Sequence, residues 1–177
     1  LSVGCTGGFR KISSGSDLQR GERLLFGEVV SEQSPLSGYV TLLYDKAEVV
    51  FDRKLPDYAV NSYQTMDSVG QSAVVVDKRG GAFAVASPGD AVYLLGLRIR
   101  GTGVAQAIRF VWLHARIAPT LARCVYVGTI VLQQDQSGLH AEIRDDLYGA
   151  LQRNHGDVTG CIFRTELAEP VPLKSES

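Results

Sequence analysis

The apolar residues of this chain come in short runs separated by clusters of Gly, Pro, Ser, Asn and Asp. Val, Ile, Tyr and Thr recur inside the runs, and no long window repeats at the 3.6-residue spacing of an amphipathic helix. That pattern predicts strands. The most regular stretch is Lys78 to Arg98, KRGGAFAVASPGDAVYLLGLR. Gly80-Gly81 opens the run Ala82–Ala86, and Ser87-Pro88-Gly89-Asp90 has turn chemistry. Pro88 fixes its own φ and Gly89 tolerates φ > 0, as the centre of a type II turn requires. Ala91–Leu97 is a second run, so the stretch predicts a hairpin. Val92 to Leu95 has no polar break, which predicts a central strand buried on both faces.

The same reading places further strands at Glu22–Ser31, Tyr39–Tyr44, Ala47–Phe51, Ser72–Asp77, Ala107–Arg116, Cys124–Gln133, Leu139–Ile143 and Val158–Leu167. Gly27 is expected to mark a bulge or a close-packing point. In Ala107–Arg116 alternation sets Phe110, Trp112 and His114 on one face and Arg109, Val111 and Leu113 on the other. The lone Trp is expected to pack the core, and His114 to be a hydrogen-bonded core or edge residue and not a ligand. Asp145 is expected to cap a short helix within Arg144–Asn154, with Leu147, Ala150 and Leu151 on one side. These elements predict a mainly β fold: a single antiparallel β-sandwich, transthyretin-like or Ig-like, of about 7–9 strands with one short helix near the C-terminus. Residues 1–21 read as an N-terminal tether, 22–168 as the sandwich and 169–177 as a flexible tail. Asp52–Gly70 is the least regular interior stretch, and a loop that long is either functional or ordered by its own side chains. Its Tyr58 and Tyr63 are candidate partner contacts, or plugs at the open end of the sandwich.

Composition narrows the partners. The chain has 177 residues, enough for one domain with a core. The net charge is −1 with no basic stripe, which gives nucleic-acid binding no electrostatic support. No apolar run reaches the length of a bilayer-spanning helix.

Candidate chemistry is sparse. His114, His140 and His155 lack metal-ligand spacing, and there is no H-E-x-x-H, C-x-x-C, G-x-S-x-G, phosphate loop or EF-hand pattern. Gly101-Thr102-Gly103 has no third glycine and opens no helix, so it reads as a loop. Cys161 with His155 and Asp157 would need the fold to assemble a thiol nucleophile. Asp145-Asp146 and the Asp57 and Asp67 pair are explained by helix capping and loop solvation. No catalytic residue, cofactor or metal is expected.

Two phrases carry a family resemblance. Gly81, Phe83, Val85, Pro88, Gly89, Tyr93 and Leu95 form a pattern that resembles the carboxypeptidase-regulatory-like and transthyretin-like β-sandwich domains. Leu25-x-Gly27-x-Val29 resembles their opening strand. Val125, Tyr126, Gly128, Ile130 and Leu132 are similar to a strand of bacterial periplasmic lipoproteins, which follows such a phrase there as it does here. Leu1-Ser2-Val3-Gly4-Cys5 resembles a lipobox, with Leu1 four places before the cysteine where the usual pattern has three. The alternative for Cys5 is a free or disulfide-bonded thiol near the terminus. The resemblance implies a signal peptide, acylation of Cys5 with palmitate-type chains and, because Thr6 is not Asp, an outer-membrane anchor facing the periplasm. In that oxidising compartment a Cys124–Cys161 disulfide becomes possible, the alternative being two buried thiols. The implied function is a non-enzymatic outer-membrane lipoprotein that docks on other envelope proteins in a secretion, pilus or motor assembly. A single acyl chain holds a membrane weakly, so such a partner is expected. The alternatives are a ligand- or glycan-binding module using Asp52–Gly70 and the Gly101 loop, and a hydrolase with a diffuse site.

Overall fold

The computed structural model describes residues 10–12, 14–32, 38–45, 70–76, 80–100, 108–154 and 160–171. They build a β-sandwich. The strands are β1 (Arg10–Lys11), β2 (Glu22–Ser31), β3 (Gly38–Asp45), β4 (Gly70–Val76), β5 (Gly81–Pro88), β6 (Val92–Arg100), β7 (Ile108–Ile117), β8 (Cys124–Asp135), β9 (Gly138–Arg144), β10 (Arg164–Thr165) and β11 (Glu169–Pro170). One helix, α1, spans Leu147–Arg153. The first sheet runs β1-β5-β2-β8, with β10 and β9 sharing the outer edge of β8. The second runs β11-β7-β6-β3-β4.

Alternation along the strands fills the space between the sheets. Leu25, Val29, Phe83, Val85, Val125, Val127, Ile130 and Leu132 meet Val40, Leu42, Leu94, Leu97, Val111 and Ile117 there. Each fully buried aliphatic side chain stabilises the fold by about 1.5–3 kcal/mol. The first sheet is covered on its outer face too. Leu24, Phe26, Ala84, Ala86 and Tyr126 pack against Ile12, Leu18 and Ala150. That second layer is why β2 is buried without a break from Arg23 to Val29.

Gly27 lies at a register irregularity. Phe26 pairs with Tyr126, but Gly27 pairs with Gly128, so Val127 is an extra residue in β8. A Cβ on Gly27 would strike the Phe83 ring and come within 2.9 Å of the Gly128 carbonyl. The bulge reverses the parity of β8, so Val125 and Val127 face the core before it and Ile130 and Leu132 after it.

Several expectations need correction. β5 and β6 are not a hairpin: β5 pairs with β2 and β1, and β6 with β3 and β7, in different sheets. The Ser87–Ala91 connection is an arch between sheets. Type I and II turns splay the strands of a two-residue hairpin, so Pro-Gly chemistry does not favour one. Gly89 is not among the glycines with positive φ, so the type II turn does not form. Arg23, 2% exposed, holds the arch by donating to the Asp90 carbonyl at 2.6 Å and the Ala118 carbonyl at 2.9 Å. β6 is nonetheless the interior strand its apolar run predicts.

The sandwich is not wholly antiparallel, because β8 runs parallel to β2 and to β10. Order begins before residue 22: Arg10 and Lys11 pair with β5, and Ile12 and Leu18 are buried. It also continues past 168, where Glu169 and Pro170 pair with Arg116 and Ala115. Within Val158–Leu167 the described strand is Arg164–Thr165 alone. Asp146, not Asp145, caps α1, its carboxylate accepting from the Gly149 amide at 3.2 Å. Trp112 lies outside the inter-sheet core. It packs on the outer face of the second sheet with Leu43, Leu95, Tyr93 and Phe110. The expected strand Ala47–Phe51 lies outside the described residues.

Candidate functional site

A buried carboxylate and its polar partners converge beneath α1 on the outer face of the first sheet. β2 carries two acidic residues, Glu22 at its first position and Glu28 in its interior, and Glu28 is fully buried. The β8 bulge turns both Tyr126 and Thr129 toward that face, three residues apart where a regular strand would oppose them. α1 sits above, with Asp146 at its start and Arg153 and Asn154 at its end.

Both oxygens of the Glu28 carboxylate are taken. Oε1 accepts from Arg153 Nε at 2.9 Å and from Asn154 Nδ2 at 3.1 Å. Oε2 accepts from Arg153 Nη2 at 2.7 Å and from the Thr129 hydroxyl at 3.4 Å. Arg153 Nη2 also reaches Asp146 Oδ2 at 2.6 Å. The Asp146 amide donates to the Tyr126 hydroxyl at 3.2 Å, and that hydroxyl lies 2.7 Å from Thr129 Oγ1. A carboxylate can only accept, so the Thr129 hydroxyl donates to Glu28 and the Tyr126 hydroxyl to Thr129, while the Asp146 amide donates to Tyr126. The Glu28 hydrogen bond raises the Arg153 pKa above its ordinary value against the desolvation that lowers it, with Asp146 adding to the rise. Burial raises the Tyr126 phenol. A carboxylate accepting four bonds and gripped by a bidentate guanidinium has no lone pair aimed at a substrate. The arrangement fastens α1 to the sheet.

Cys124 and Cys161 are joined in a disulfide, with Cα atoms 5.9 Å apart. Cys161 therefore offers no thiol nucleophile; His155 and Asp157 lie outside the described residues, as do Cys5, Tyr58, Tyr63 and the Gly101 loop. His114 is buried, has φ 44°, and stacks on Trp112 with centroids 5.2 Å apart. His140 is exposed, 3.1 Å from Gln133 Oε1 and 3.7 Å from Asp135. Asp145 is exposed. Among the described residues no group of three or more His, Cys, Asp and Glu has the placement to hold a metal, and no helix is long and apolar enough to cross a membrane.

The residues that sequence reasoning missed are Glu28, Arg153, Asn154, Thr129 and Arg23. A charge inside an apolar strand was the available signal for Glu28, because burial on both faces forces such a group to find a partner. Nothing local identifies that partner, since Arg153 is 125 residues away in sequence.

The start of β8 has a different character. Leu121 and Ile162 are almost completely exposed, at 105% and 96%. Leu121 lies three residues before Cys124, and Ile162 follows Cys161. Arg123 donates to the Gly15 carbonyl at 3.2 Å, and its own carbonyl accepts from the Leu24 amide at 2.8 Å. Two large aliphatic side chains thus stand in solvent beside a covalent cross-link.

The fold defines a β-sandwich with a helix riveted to one face. No family model matches the chain, and no curated protein matches it. A solved structure that aligns with it is the dioxygenase domain of a dioxygenase–carbohydrate-binding protein fusion from the cellulolytic bacterium Streptomyces sp. SirexAA-E. That alignment has 9% identity, covers 91% of this chain and 89% of that one, and has a TM-score of 0.26. A likeness at that level carries no argument about this chain.

Proposed function

We propose that this chain is a non-enzymatic docking module of the bacterial envelope, held at the outer membrane through acylated Cys5 and serving a larger assembly. The observation that carries the docking reading is the disulfide-anchored end of β8, where Leu121 and Ile162 are held in solvent on a braced backbone. Exposed aliphatic anchors beside a covalent cross-link suit a protein partner, because the cross-link reduces the backbone freedom lost on binding. The disulfide supports an oxidising compartment. The saturated Glu28 cluster supports a structural and not a chemical use of the buried charges.

The alternative, a glycan- or ligand-binding module, finds some support in Tyr93, Phe110 and Trp112 on the outer face of the second sheet. A sugar platform needs an open ring face, and His114 already stacks on Trp112, so docking is the better reading.

Co-purification from detergent-solubilised, crosslinked envelopes tests it. The Leu121→Asp/Ile162→Asp double variant is expected to lose the co-purifying envelope protein while keeping the wild-type circular dichroism spectrum and melting temperature. Unchanged co-purification would remove this surface from the account.

A further inference from the structure

The C-terminal segment from Gly160 to Val171 is a strap that pairs first with β8 of one sheet and then with β7 of the other. Phe163 packs on Phe26 with ring centroids 5.2 Å apart. Arg164 and Thr165 pair in parallel with Val125 and Tyr126. The Glu166 amide donates to the Tyr126 carbonyl and the Ala168 amide to the Val127 carbonyl, each at 3.0 Å. The Ala168 side chain enters the inter-sheet core. Glu169 and Pro170 then pair with β7, and the Val171 amide reaches the His114 carbonyl at 2.6 Å.

The strap's non-covalent hold consists of short pairings, those amide bonds and the half-buried Phe163 and Leu167 on the outer layer of the first sheet. Each of its strands is two residues long, and Arg164, Thr165, Glu169 and Pro170 are exposed. Ala168 is its one buried side chain. Pairings this short do not persist alone in water. The sheets they join are built otherwise: β2 pairs with β5 and with β8 over eight positions each. The Cys124–Cys161 bond fixes the strap where it starts.

We propose that this disulfide is a redox latch on the strap and not a staple of the whole fold. Oxidised, it keeps the strap docked across β8 and β7. Reduced, the strap leaves, and the Tyr126 and Val127 carbonyls and the Phe26 ring lose their cover. The reductant is a dithiol. Cys124 is 4% exposed and Cys161 is half-buried, so the attacking thiolate meets Cys161 Sγ and Cys124 departs as a thiolate. The reductant's second thiol then displaces Cys161 from the mixed disulfide. Overall the cystine gains two electrons and two protons and the dithiol loses them. Closing is the reverse exchange with a disulfide-bearing oxidant.

Amide hydrogen exchange by NMR on the full chain, oxidised and then reduced with dithiothreitol under native conditions, tests the latch. The Glu166 and Ala168 amides are expected to exchange at least about tenfold faster after reduction, as in local opening. The Leu25 and Val29 amides of β2 should keep their rates. Cys161→Ser without reductant should reproduce the reduced pattern; should that variant not fold, reduction of the folded oxidised chain gives the same reading. Unchanged protection at Glu166 and Ala168 would overturn the latch. Equal acceleration in β2 would overturn it as well, because the bond would then hold the whole fold.

Discussion

Arg23, Tyr44 and Glu28 each carry a polar group into the interior, and each is handled differently. Arg23 has neutral acceptors at contact distance, the Asp90 and Ala118 carbonyls with the Ser87 hydroxyl at 3.5 Å. Burial lowers its pKa, opposed by the fields of Asp90 and Glu166. It draws the arch toward the end of β7 and so joins the two sheets. Tyr44 lies on the inner face of β3, lining an apolar gap with Leu25, Leu42, Phe83 and Val85. Burial pushes its phenol up to about 12. An unfolded tyrosine titrates near 10, so stability from this group is full below that pH. It is lost as the pH rises toward 12, because the unfolded chain ionises first. The two-unit gap amounts to about 3 kcal/mol. Urea unfolding between pH 9 and 12 is expected to show a steeper loss of stability for the wild type than for Tyr44→Phe. Parallel profiles would contradict the assignment.

At the scale of elements, α1 is too short to be stable alone and depends on its docking. Ala150 supplies the apolar contact and Arg153 the ionic one. Removing Arg153 leaves Glu28 charged and buried, so Arg153→Met should lower the unfolding free energy by about 3 kcal/mol. The double variant Glu28→Gln/Arg153→Met keeps a side chain for Asn154 and Thr129 to bond without a buried charge, and is expected to lose less than the single variant. Denaturant titration of the two variants checks the order, and a double variant less stable than Arg153→Met would contradict the rivet.

Element existence was legible in the chain. β2 matches its expected bounds, and β8 and β9 are found close to theirs, because turn residues and apolar runs mark them. Pairing was not legible. The Lys78–Arg98 stretch holds both strands and the turn, yet nothing local distinguishes a hairpin from an arch. The choice depends on Arg23, some 64 residues before Ser87, and on the two-sided burial of β5. The parity change at Gly128 was not legible, because residues 124–127 and 130–132 are apolar at every position. It shows only in the register with β2. Trp112 was misplaced for a related reason. Alternation separates faces but does not say which faces inward, and Val111 with Ile117 proved to be the inner set. The candidate site was legible only in part: the cysteine pair stood out, whereas the Glu28 cluster required the fold.

For the whole molecule, the sandwich is closed by devices drawn from its ends. Ile12, Leu18 and helix α1 cover the first sheet, and the C-terminal strap bridges to the second. The docking reading rests on Leu121 and Ile162, which stand exposed beside the Cys124–Cys161 bond. The proposed address follows from the Leu1–Cys5 resemblance and from the oxidised Cys124–Cys161 pair. The most direct measurement is mass spectrometry of the N-terminal peptide of the native protein isolated from cell membranes. The account predicts a diacylglyceryl thioether on Cys5. An unmodified Cys5 in the membrane-isolated protein would contradict it.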